Sequence, residues 1–103
     1  MNICAYNKFT GAEQKVEAAN MAILQRFADN PDGLALFNLS VKAWADFRDA
    51  ECKFGAFGVL SGTVYPFILN QCMSGLTLLR AEALERELSC EEGDMSCSIP
   101  RAK

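Results

Sequence analysis

Along the first part of this 103-residue chain, apolar or small residues fall at Phe9, Ala12, Val16, Ala19, Ile23 and Phe27, in steps of three and four. Steps of that size put all of them on one side of an α-helix, whereas a strand would scatter them over both faces. The spacing predicts a helix from Asn2 to about Ala28. "DNPDG" then interrupts it: Asn30 suits the cap of a following helix, and Pro31 suits its first position, where no amide hydrogen is required.

The stripe resumes at Leu34, Phe37, Val41 and Trp44, and the same spacing next reaches Arg48 and then Glu51 or Cys52. A second helix is therefore expected whose seam turns polar near its end. Gly55 and Gly58 loosen that end, "LSGT" makes a turn, and Thr63 is expected to cap a third helix with Pro66 in its first turn. Tyr65, Ile68, Leu69, Cys72, Leu76, Leu79 and Ala83 are expected to form the inner face of that helix, and "RAEALERELS" its solvated end.

Short connections make neighbouring helices antiparallel. The fold class is thus all-α: an antiparallel three-helix bundle over residues 1–90, followed by a short tail over 91–103. A chain this long buries roughly two-thirds of its unfolded surface, which suffices for one modest core. Between Lys53 and Arg80 no residue is charged, yet four glycines, Pro66 and polar residues such as Asn70 and Gln71 argue against a membrane span.

Ten Lys and Arg stand against 13 Asp and Glu, a net charge of -3, which repels phosphate backbones and makes nucleic acid a poor partner. A basic protein suits better. The chain has no histidine, so it lacks the usual neutral-pH general base, the Ser-His-Asp and Cys-His nucleophile pairs and every imidazole metal ligand. No cofactor or metal is expected, and no enzymatic activity.

Cys4, Cys52, Cys72, Cys90 and Cys97 are many for so short a chain, and none stand as C-x-x-C, the spacing that favours zinc. Disulfides in an oxidising compartment account for them better. Antiparallel helices align residues equally far from their shared turn, and Cys52 and Cys72 each lie ten residues from Gly62. A bridge between them would close a loop of about 20 residues and stabilise the fold by about 3 kcal/mol. Cys90 and Cys97 flank "EEGDMS", where Gly93 permits a reversal, and are expected to pair; Cys4 is left as the odd thiol.

"AWADFRDAEC", residues 43–52, concentrates Trp44, Arg48, Asp49, Glu51 and Cys52. An arginine on a helix seam cannot shed its charge, so its burial requires carboxylates or carbonyls in reach. Glu51, one turn on, and Glu82 or Glu85 of the third helix are the expected partners, with Arg80 taking a similar partner such as Asp49. Asp49 and Glu51 sit about 200° apart around a helix, which sets aside an acid–base pair of the glycosidase kind. A structural clasp of Trp44, Arg48, Asp49, Glu51 and Arg80 is the favoured reading. Phe57, Leu60, Tyr65 and Phe67 surround the hairpin tip and form a possible partner-binding patch.

"MNICA", "AWADFRDAEC", the Ser-Gly-Thr turn, "NQC", "TLLRAEAL" and "CEEGDMSC" occur in an order that resembles the lysozyme inhibitor LprI-like family of small secreted bacterial proteins. The resemblance covers nearly the whole chain, and the run of Trp44, Phe47, Arg48, Asp49 and Cys52 is its most specific part. It implies a helical, exported domain, periplasmic or secreted, of which some relatives block lysozyme. "MNICAYNKFT" lacks the basic and apolar regions of a signal peptide, so an exported form would be a trimmed one. Two functions follow as expectations: a proteinaceous lysozyme inhibitor acting by surface binding, or a non-enzymatic envelope module that binds another protein.

Overall fold

Ala5, Phe9, Ala12, Val16, Ala19 and Ile23 alternate in steps of four and three, a 3.5-residue repeat that keeps one seam turned toward one neighbour. In the computed structural model, which describes residues 2–90 and 94–100, all of these but the half-buried Phe9 are buried on α1 (Asn2–Arg26). Two further helices follow, α2 (Pro31–Gly55) and α3 (Tyr65–Leu88), with a single 3-10 turn at Phe57–Val59 between them. The described residues contain no strand, and none of their helices is long and apolar enough to cross a membrane. The molecule measures 50 × 22 × 20 Å.

Most of the packing between helices is α1 against α3. Arg26 in the last turn of α1 donates to the carbonyl of Leu88 at the end of α3, 3.2 Å away, so the two helices run in the same direction with their C-termini together. A cation at a helix C-terminus also meets the negative end of the backbone dipoles. Ser74, Thr77, Ala81 and Leu84 are the buried residues of α3. Three of these four are small, and they face a seam in which every seventh residue is alanine, so the two backbones can approach closely.

That face differs from the expected one. Leu79, predicted to point inward, is 62% exposed, and Tyr65, Ile68, Leu69, Cys72, Leu76 and Ala83 are only half-buried. The buried row is turned by roughly 100°, the angle of one residue, from the row that hydrophobicity selects. Close helix–helix approach requires small side chains, and on α3 the small residues lie beside the leucines rather than among them.

The start of α2 matches its sequence signals. Asn30 Oδ1 accepts from the Gly33 amide at 3.0 Å, and Pro31 opens the helix. A Cβ at Gly33 would stand 2.6 Å from two ring atoms of Phe27, whose ring stacks on Phe37 at 6.5 Å; glycine there lets the first turn of α2 close onto the end of α1. Thr63, by contrast, does not cap α3. The residue preceding that helix is Val64, with no side-chain cap, and backbone bonds such as Gly62 N to Val59 O (2.9 Å) and Tyr65 N to Gly62 O (3.3 Å) carry the chain through successive tight turns instead.

Both expected disulfides are present. Cys52 and Cys72 join α2 to α3 with Cα atoms 5.5 Å apart, and Cys90 and Cys97 are bonded with Cα atoms 6.1 Å apart. Cys4 is free and exposed. The reversal expected at Gly93 lies outside the described residues. Beyond the second disulfide, Ile99 is buried in one cluster with Val16, Ala19, Ile23, Phe27, Ala81 and Leu84, so the end of the chain contributes to the core. Ser98 fastens it further, its amide donating to Glu87 Oε2 at 3.3 Å.

The α1–α3 seam makes a direct prediction. Ile23→Ala, at a fully buried position, should lower stability by about 3 kcal/mol in urea unfolding. Leu79→Ala should cost less than about 0.5 kcal/mol. The opposite order would return α3 to its hydrophobicity-selected face.

Candidate functional site

Leu34, Phe37, Val41, Trp44, Arg48 and Cys52 form the inner row of α2, and the row carries a guanidinium into the space between the three helices. Arg48 is 8% exposed. Its Nε donates to Asp49 Oδ1 at 2.9 Å with Nη2 also 2.9 Å from that oxygen, and its Nη1 donates to Thr77 Oγ1 at 3.4 Å and stands 3.6 Å from Glu13 Oε2. Its Cζ also lies 5.1 Å from the ring centres of both Phe9 and Trp44. One side chain thereby touches α1 through Phe9 and Glu13, α2 through Trp44 and Asp49, and α3 through Thr77.

A guanidinium keeps its proton at any accessible pH, so removing it from water requires an opposing charge and filled donor positions. Asp49 and Glu13 supply the charge, Thr77 a further acceptor, and the two rings cover the flat faces with their negative quadrupoles. This partner set corrects the expectation. Glu51 is exposed and makes no ion pair among the described residues, and Glu82 and Glu85 lie roughly 8 Å or more along α3 from the level of Thr77. Adjacent helical side chains do not ordinarily face each other, so Asp49 is a partner that the spacing rules pass over. The long arginine stem lets the fork fold back onto it.

Arg80 is one turn beyond Thr77, with Cζ 5.8 Å from the centre of the Trp44 ring. It makes no ion pair among the described residues, and the expected pairing with Asp49 does not form because Asp49 is occupied by Arg48. Burial without a countercharge lowers the Arg80 pKa. Between these two arginines, α1 and α2 leave an open cleft of about 370 Å³ lined by Glu13, Glu17, Asn20, Trp44, Arg48 and Arg80, with Val16, Val41, Ala45 and Thr77.

Asp49 and Glu51 share no position for a substrate. The first is turned to the guanidinium and the second to solvent. Glu87, Cys90 and Cys97 also gather, but the two sulfurs are bonded to each other and offer no thiolate to a metal.

At the hairpin tip, Phe57 and Leu60 are exposed, while Tyr65 and Phe67 are half-buried. From Phe57 an exposed apolar row also continues up the outer side of α2. Leu36, Leu39, Ala43, Phe47, Ala50, Phe54 and Phe57 are all exposed and succeed one another in steps of three and four. This second row is centred roughly 130° around α2 from the row of Trp44 and Arg48. Its periodicity was available in the sequence, hidden behind the inner row of the same helix.

Fold and site together define a small, disulfide-tied, three-helix protein with one buried arginine held against a tryptophan. Its sequence matches the family described as Lysozyme inhibitor LprI over residues 1–84, and the chain belongs to that family. It is also similar to a protein of Rhizobium meliloti (strain 1021) described as uncharacterized, with 24% identity over 103 residues, covering 89% of this chain and 74% of that protein. No solved structure matches it.

The geometry at Arg48 predicts that Arg48→Lys is not conservative. A lysine keeps the charge but loses the fork and the two ring contacts, so urea unfolding should show a loss of about 2 kcal/mol. An unchanged midpoint would reduce the contacts to a solvated ion pair.

Proposed function

We propose that this protein acts outside the cytoplasm, in the periplasm or as a secreted protein, as a non-enzymatic inhibitor of lysozyme that works by surface binding. The observation that carries this reading is the outer row of α2 in a chain of the lysozyme inhibitor LprI family. Phe54 and Phe57 are 78% and 69% exposed, with Phe47 and Leu60 beside them, and soluble monomers rarely leave so continuous an apolar row uncovered. Exposed aromatics of this kind, once buried against a partner, set the lifetime of a complex.

Charge supports the same reading. The net charge of -3 attracts a basic enzyme and raises the association rate, while the two disulfides keep the row rigid and fit an oxidising compartment. The sequence lacks histidine, and Asp49 and Glu51 are divided between a guanidinium and solvent. The alternative is an envelope module that binds another protein or a second copy of itself. The outer row favours that as well, because an apolar helix face fits a groove or another helix.

Titration of the oxidised protein into muramidase assays with several lysozyme types should slow lysis. Phe54→Ser and Phe57→Ser should each weaken inhibition by about tenfold while leaving far-UV circular dichroism unchanged. No slowing at high micromolar protein would remove the inhibitor reading. Full potency in both variants would move the contact away from the outer row, and a dimer mass in size-exclusion measurements would favour self-association.

A further inference from the structure

Three groups lining the cleft beside Trp44 have no ion pair or side-chain hydrogen bond among the described residues. Arg80 is partly buried and has no carboxylate partner among the described residues, whereas Arg48 in the same cleft is matched by Asp49, Glu13 and Thr77. Asn20 Oδ1 is the one buried side-chain nitrogen or oxygen among the described residues with no hydrogen-bond partner. Glu17 lines the same cleft, is exposed, and makes no ion pair there. Folded proteins generally satisfy such groups, and those left unsatisfied mark places where a partner is missing.

We propose that this cleft binds a small zwitterion of amino-acid or dipeptide size, its carboxylate held by Arg80 and its amino group by Glu17. The charge balance selects this class. With Arg48 already matched by Asp49 and Glu13, Arg80 and Glu17 are the unpaired charges of the lining, so a simple anion would leave Glu17 opposed to it, and a simple cation would leave Arg80 bare. A zwitterion matches both ends at once.

Size and electrostatics agree. About 370 Å³ lies at the lower end of the range for small-molecule sites, and Val16 and Val41 provide apolar wall for an alkyl side chain. A guanidinium already stripped of part of its water, as the lowered pKa of Arg80 reflects, binds a carboxylate through a planar fork more strongly than an exposed one does. Trp44 keeps the fork in place from beneath, 5.8 Å from its centre.

Trp44 is the chain's only tryptophan, so its fluorescence reports the cleft directly. The oxidised full chain should be titrated with alanine, leucine and L-alanyl-L-alanine, and with the C-terminal amide and the N-acetyl form of the dipeptide. At least one zwitterion should give a saturable change with a midpoint at or below about 1 mM, a modest affinity for a ligand of this size. The amide should abolish it and acetylation should weaken it.

Arg80→Gln should remove the response and Glu17→Gln, at an exposed position, should weaken it, each with native far-UV circular dichroism. No saturable change with any of the three zwitterions up to about 10 mM would overturn the proposal. Equal binding by the amide, or binding retained in Arg80→Gln, would overturn it too. The outer row of α2 takes no part in this test, so its result is independent of lysozyme inhibition.

Discussion

A guanidinium that cannot lose its proton sits where three helices meet, and the arrangement of the molecule follows from how that charge is accommodated. Arg48 needs carboxylate from both sides, an acceptor, and cover for its flat faces. Those groups come from α1, α2 and α3 at once, so satisfying the charge also fixes the rotation of each helix about its axis. The α1–α3 seam packs closely because its residues are small, and α2 stands across it, held at Arg48 and at the Cys52–Cys72 bridge one turn further on.

This division explains why α2 has two apolar rows. The inner row of Leu34, Phe37 and Trp44 closes the core, and the outer row from Leu36 to Phe57 remains uncovered. A helix tied down by a bridge and a buried ion pair does not need its second face for stability. That face is then available to a partner, with the negative charge of the chain acting at longer range. The cleft beside Trp44 arises from the same geometry: α2 is spaced from α1 by the volume of the arginine and its rings, and the gap continues past Arg48 toward Asn20 and Arg80.

Much of the fold was legible in the sequence. The three-and-four spacing located all three helices, "DNPDG" located the first break, and the equal distance of Cys52 and Cys72 from Gly62 identified the bridge before any coordinates. The buried face of α3 was not legible, because Ser74, Thr77 and Ala81 are buried for their small size, and hydropathy does not mark smallness. Arg48 was recognisable as a charge in need of partners, but the partners were not: Asp49 is its immediate neighbour, and Glu13 is 35 residues away on a helix whose register the sequence leaves open. Ile99 in the core was likewise hidden, since a lone isoleucine in a polar tail has no periodicity to announce it.

Residue-resolved hydrogen exchange on oxidised wild-type and Arg48→Ala proteins tests the central role of this charge most directly. With Arg48 removed and the bridge intact, amides from Val41 to Lys53 should exchange earlier than before, while those of α1 and α3 along the Ala12–Ile23 and Ser74–Leu84 seam keep their protection. Exchange that rises evenly over all three helices, or stays unchanged in α2, would contradict a structure organised around the buried guanidinium.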